Sequence, residues 1–265
     1  MNLYLDIETV PSQRPDVLEE IRAAEQLALD AALAAIKPPG NYKKQETIDE
    51  WLATEAPKIA AGLTAAFDAN VDAAYRKTGL DGSFGQICVI GYALDDAAPR
   101  TIWSANGIDS PCEGELLEAF YCALTDMIPA NMERATCVVG HNVTGFDLRY
   151  LVQRSIVNNI RPHRVISAAA QAKPWEINVV FDTMVQWGGT GAKPGGSLDK
   201  LCRALSVPSP KGDITGATVW DAVKAGRIKD VADYCARDVE AVRAIHRRMT
   251  FFAPVVVQQF EDVAA

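Results

Sequence analysis

The chain reads as an α/β domain with a mixed five-stranded sheet flanked by helices, and three observations lead there. Five short apolar or β-branched runs, at 2–7, 86–94, 100–104, 136–140 and 177–181, are interleaved with stretches of helical spacing. Only a short turn at Asp95 and Asp96 separates the second and third runs, so the first three strands form an antiparallel unit. Between the first and second runs stands a long block, 11–84, whose composition and spacing are helical.

The opening run, Leu3 to Ile7, is a buried strand whose end carries Asp6 and Glu8, and Val10-Pro11-Ser12 stops it. From Asp16 to Ile36 apolar residues recur at helical intervals (Leu18, Ile21, Leu29, Leu33, Ile36), and Pro38-Pro39-Gly40 closes that helix. A capping box, Thr47 with Glu50 three residues on, is expected to open the next helix, and Pro57 to separate it from an alanine-rich helix ending near Lys77. Gln86 to Leu94 and Arg100 to Trp103 form a hairpin. Helical spacing runs from Glu115 to Met127, and Thr136 to Gly140 is a short strand ending at His141 and Asn142. Asp147 to Val157 is amphipathic, Ile177 to Phe181 is the fifth strand, and helices follow at Ser197 to Leu205 and at about Ile228 to Met249.

Length and composition bound what such a domain does. At 265 residues with 49% hydrophobic residues, the chain is one large domain, with a core at 1–10 and 85–250 and a helical insertion at 11–84. No run approaches the roughly 18 apolar residues of a membrane span, and the N-terminus lacks a basic n-region, so a cytoplasmic location is expected. The six cysteines lack the spacing of a zinc ribbon or redox motif and read as reduced core residues. The net charge of −8 argues against a nucleic-acid partner until it is divided. Residues 1–140 carry 10 Lys and Arg against 22 Asp and Glu, whereas residues 141–254 carry 16 against 10. A polyanion would meet one face only.

Chemistry gathers at element ends. Asp6 and Glu8 share one face of the first strand because side chains alternate with period two. Asp147 begins the helix after strand four, and Tyr234 and Asp238, four apart, share a face of the last helix. Carboxylates converging on one point repel unless a hard divalent cation with oxygen ligands, Mg²⁺ or Mn²⁺, neutralises them. Each acid alone would pass for a cap or turn residue; three separated places would have to be accidental together.

These residues resemble the DEDD, or DnaQ-like, 3′–5′ exonuclease superfamily, whose domain is ribonuclease H-like. Asp6 and Glu8 match its first motif, Asn142 with Phe146 and Asp147 its second, and Tyr234 with Asp238 its third. Ser197 to Leu201 and Lys211 to Asp213 look like its connecting segment. Histidine-type members place His five residues before the final Asp, where this chain has Asp233, so Tyr234 puts it with the tyrosine type. That type is similar to polymerase proofreading domains and to stand-alone phage and bacterial exonucleases. The resemblance implies two divalent ions, one on Asp6, Glu8 and Asp238 and one on Asp6 and, through water, Asp147, about 3.5–4 Å apart. It implies that Tyr234 orients the attacking water and that the substrate is nucleic acid cut from its 3′ end, single-stranded DNA before RNA. An exoribonuclease with the same site, and a catalytically silent nucleic-acid-binding module, stand as alternatives.

Other residues carry weaker readings. Thr9, His141, Asn142 and Phe146 are candidate substrate contacts, with His141 expected to anchor the strand end and Asn142 equally suited to forming a turn. Asp182 is expected to cap a helix at Thr183. Arg149, Arg154, Lys211 and Arg237 are candidate channel residues, each also explained by a solvated face. The glycines at 188, 189, 191, 195 and 196 form a loop but no phosphate-binding motif, because Lys193 is followed by Pro194. The insertion 11–84, with Tyr42, Lys43 and Lys44 between its helices, would pack on the domain or receive nucleic acid or a replication or repair protein.

Overall fold

The computed structural model describes residues 1–104, 110–173, 175–189, 195–210 and 212–252, with 110–112 described by backbone alone. Its five strands are β1 (Asn2–Val10), β2 (Gln86–Leu94), β3 (Arg100–Trp103), β4 (Cys137–Gly140) and β5 (Val180–Asp182), in the order β3-β2-β1-β4-β5. The pairs β1–β2 and β2–β3 are antiparallel, and β1–β4 and β4–β5 parallel. This is a ribonuclease H-like mixed sheet.

The pleat of β1 sorts its side chains. Leu3, Leu5 and Ile7 join the core formed with α4 (Ser110–Met127), α5 (Asp147–Val157) and α6 (Arg164–Ala170), where Leu117, Phe120, Leu148 and Leu151 are buried. Tyr4, on the opposite face, packs with Val239 and Val242 of the long helix α10 (Ile228–Met249). Asp6 and Glu8 follow Tyr4 at intervals of two, so the face that meets α10 is also the face that carries the acids. Between Glu8 and Thr9 the register with β2 slips by a bulge, which ends regular pairing just past the second acid.

The insertion is α1 (Pro15–Ala34), α2 (Gln45–Ala65) and α3 (Phe67–Lys77). Its helices pack mainly on one another: α2 buries no residue, α1 only Val17 and α3 only Val71. Its base is fastened. Tyr75 Oη donates to Ser12 O at 2.7 Å, the Tyr75 and Trp220 rings pack edge to face, and Arg76 holds Asp221 with two hydrogen bonds of 3.0 and 2.7 Å.

Several expectations need correction. Thr47 does not cap a helix, because α2 begins two residues earlier after Lys44, whose side chain makes no cap bond. Pro57 does not break the helix: it removes one backbone donor and α2 continues to Ala65, where no Gly, Pro or capping side chain marks the passage into α3. The fifth strand begins at Val180, three residues late, because Val179 N and Val180 N both donate to Glu176 O and curl that segment into a turn. Cys122 is exposed, while Cys88, Cys137, Cys202 and Cys235 are buried free thiols. The short helices α7 (Thr183–Gly188), α8 (Leu198–Ala204) and α9 (Val219–Lys224) complete the described helices; a helix from Thr183 and one over Ser197 to Leu205 were expected, and α9 was not. No helix among the described residues is long and apolar enough to cross a membrane.

Candidate active site

Three elements bring the acids together. β1 supplies Asp6 and Glu8, the first turn of α5 supplies Asp147, and the middle of α10 supplies Tyr234 and Asp238. Ile7 N donates to Asp147 Oδ1 at 3.1 Å, so the start of α5 is tied to the strand between the two β1 acids. Glu8, Asp147 and Asp238 are 5–7% exposed, and Asp6 is partly buried.

A thiol that the sequence reading placed in the core also reaches this cluster. Asp6, Glu8 and Cys235 present ligand atoms all within 4.8 Å of one another. Cys235 Sγ donates to Asp6 Oδ2 at 3.3 Å, and it fits beneath β2 because residue 91 is glycine: a Cβ there would stand 2.7 Å from the sulfur. Cys88 Sγ donates to Glu8 O at 3.3 Å. Nothing in its own spacing marked Cys235; only the register of Gly91 against α10 does so.

Electrostatics shows how crowded the cluster is. Burial pushes the Asp6 and Glu8 carboxyls well above the usual carboxylate range, and the neighbouring acids push them further, Glu8, Asp238 and Asp147 on Asp6, and Asp238 and Asp147 on Glu8. Burial raises Asp147 to about 7 despite the Ile7 hydrogen bond, and raises Asp238 to about 6 against the pull of Tyr234 and Arg237. Burial, then Asp238, raises the Tyr234 phenol, and burial, then Asp6, raises the Cys235 thiol. Both stay protonated near neutrality. Asp238 Oδ1 is buried without any hydrogen-bond partner.

The second motif is held from behind. Asp182 Oδ1 accepts from Asn142 N (2.9 Å), Met184 N (3.0 Å) and Val185 N (3.3 Å), and Oδ2 from Thr144 N (3.0 Å) and Thr144 Oγ1 (2.7 Å). It therefore caps α7, as expected, and also fixes the turn leading to Asp147. Asn142 takes the left-handed conformation (φ 60°) in that turn, and Gly145 approaches so closely that a Cβ would lie 2.5 Å from Asn142 Oδ1. His141 Nδ1 pairs with Thr183 Oγ1 at 2.9 Å, which anchors the strand end, while Phe146 turns inward against Tyr150 with ring centroids 5.2 Å apart. Thr9 donates to Gly79 O at 2.7 Å.

The candidate channel residues divide. Arg237 is exposed beside the site, its guanidinium 5.9 Å from the Tyr234 ring centroid, and Arg149 is exposed on α5. Arg154 is buried in a two-pronged ion pair with Glu113 (2.9 and 2.6 Å) and lines no channel, because α5 turns it inward. Lys211, Gly191 and Lys193 lie outside the described residues.

Residues 80–261, more than two thirds of the chain, match a family described as predicted 3′–5′ exonucleases related to the exonuclease domain of PolB. The match begins after β1, so Asp6 and Glu8 fall outside it. No curated protein matches the chain. On the fold and on that match, the chain belongs to the family of predicted 3′–5′ exonucleases related to the exonuclease domain of PolB, nucleases whose substrate is nucleic acid.

Proposed function

We propose that the chain is a tyrosine-type, divalent-metal-dependent exonuclease that removes nucleotides from the 3′ end of single-stranded DNA. The observation that carries this reading is Asp238 Oδ1, buried and unpartnered among four acids on three elements. A carboxylate oxygen left so is costly until a cation or proton takes it. Oxygen donors in this number suit Mg²⁺ or Mn²⁺, with Asp6, Glu8 and Asp238 holding one ion and Asp6 and Asp147 a second through water. When bound, such ions lower the pKa of a water and offset charge on the leaving oxygen.

The chain's own residues do the rest. Tyr234, protonated, donates a hydrogen bond that orients the attacking water and is no base. Asp147 is preset by Ile7 N, and Asp182 holds the turn that delivers it. Thr9, next to Glu8 in the chain, and His141 and Asn142, at the end of β4, are read as substrate contacts, while Phe146 packs inward against Tyr150. Kinship with a polymerase exonuclease domain favours DNA, and the insertion 11–84 is left free to receive a replication or repair protein.

The test is digestion of 5′-labelled single-stranded DNA and RNA of one sequence with Mg²⁺, Mn²⁺ or EDTA. A metal-dependent ladder shortening from the 3′ end, faster on DNA, supports the reading. Faster digestion of RNA makes the protein an exoribonuclease, and tight binding without cleavage makes it a binding module.

A further inference from the structure

Just past Glu8 the strand runs into a groove of about 280 Å³ between the base of the insertion and the approach to α9. Thr9, next to Glu8 in the chain, forms one wall, Lys77 and Leu80 the insertion's wall, and Gly216 and Trp220 the wall leading into α9. The wall on the insertion's side is fixed in place: Thr9 Oγ1 donates to Gly79 O, and Gly79 packs so tightly that a Cβ there would lie 3.2 Å from Pro11 N.

The chemistry of these walls is specific. Leu80 is 65% exposed and gives the groove an apolar wall. The Trp220 ring is half-buried, with Lys224 Nζ 5.3 Å from its centroid. Lys77 is exposed and has no ion-pair partner among the described residues, whereas its neighbour Arg76 is fully engaged by Asp72 and Asp221. An aromatic ring, an aliphatic wall and an unengaged cation together suit an unpaired base with its phosphate. Thr9 directly follows Glu8 in β1, which sets the groove beside the strand end that carries the acids, in reach of a strand bound there.

Resting on the exonuclease reading above, we infer that this groove is a nucleotide subsite, taking a base next to the scissile phosphate against Trp220 and Leu80 with Lys77 on the adjacent phosphate. Because every base offers a ring face, the subsite holds an unpaired strand with little regard to sequence. It is built partly from the insertion, which thereby becomes part of substrate binding.

Gly216 allows a direct block. A Cβ there meets nothing within 4 Å, so Gly216→Leu adds bulk at the groove's wall without a backbone clash. Cleavage of a 5′-labelled single strand in Mn²⁺ is measured for Gly216→Leu, Lys77→Ala and, as control, Gly40→Leu on the open connection between α1 and α2, after thermal melts establish that each is folded. Gly216→Leu and Lys77→Ala are expected to raise KM roughly five- to ten-fold with a smaller change in kcat. Lys77→Ala is also expected to reduce the slope of log KM against log salt by about 0.7, one phosphate's share on a single strand. Gly40→Leu leaves KM unchanged. Quenching of intrinsic fluorescence by the strand is expected in the wild type and lost in Trp220→Phe. An active wild type with unaltered KM, salt slope and quenching in the groove variants overturns the subsite and leaves the exonuclease standing. A wild type that neither binds nor cuts overturns both.

Discussion

Cys235 Sγ donates to Asp6 Oδ2 at 3.3 Å, so one oxygen of the strand's first acid is held from α10. Partners that orient a ligand in this way are worth about 10–100-fold in metal affinity. Cys235→Val, which keeps the size and removes the donor, is expected to weaken Mn²⁺ binding about ten-fold by calorimetric titration. Cys235→Ser, which keeps a donor, should stay close to the wild type. Equal affinity in all three would mean that the thiol only fills space above Gly91.

Tyr234 lies against Asp238 and remains protonated. Tyr234→Phe removes one donor without removing a carboxylate, so kcat is expected to fall about 10²-fold while Mn²⁺ affinity is retained. Rapid-quench cleavage set beside a Mn²⁺ titration separates the two effects.

The raised carboxyls make stability depend on pH in the metal-free protein. Asp147 titrates at about 7 and Asp238 at about 6 in the folded chain. Unfolded, each titrates near ~4. Between those values the native state binds more protons than the unfolded state, so stability falls as pH rises from about 4 through about 7, and the raised Asp6 and Glu8 carboxyls act in the same direction. Divalent ions reverse this. With Mn²⁺ at about 100 times its Kd, the gain is about 2.7 kcal/mol. Melting curves at pH 5 and pH 8, with Mn²⁺ and with EDTA, should show the larger rise at pH 8.

Arg154 and Glu113 are 4% and 2% exposed and form a closed network, in which Glu113 also accepts from Ile87 N at 2.8 Å and Asn158 Nδ2 at 2.9 Å. Arg154→Ala leaves a buried carboxylate without its cation and is expected to destabilise by about 3–5 kcal/mol in urea unfolding. The network ties α4 to α5 and to β2, so this cost belongs to the fold and not to the site.

How far the site could be read from the chain depended on distance along it. Asp6, Glu8, Asp147, Tyr234 and Asp238 stand out as candidates because they lie towards a strand's end, at a helix start or at helical spacing, where local pattern implies direction. Cys235 does not, since its place beside Asp6 depends on a glycine in β2 that makes room for sulfur. Arg154 resembled a surface cation until the inward face of α5 met Glu113. The short helices α6, α7 and α9 hold too few residues for periodicity to speak, although Asp182 marked the start of one. Pro57 misled because a long exposed helix tolerates a single lost hydrogen bond.

The most direct test of the central claim compares the wild type with Asp6→Ala in one preparation, measuring Mn²⁺ bound per chain and 3′-end cleavage of single-stranded DNA. Asp6 touches both proposed ions, so the variant should keep the wild-type fold by circular dichroism, lose Mn²⁺ binding at the acidic cluster, and lose cleavage by orders of magnitude. A folded Asp6→Ala variant that still binds the ions and still shortens DNA from its 3′ end would contradict the account.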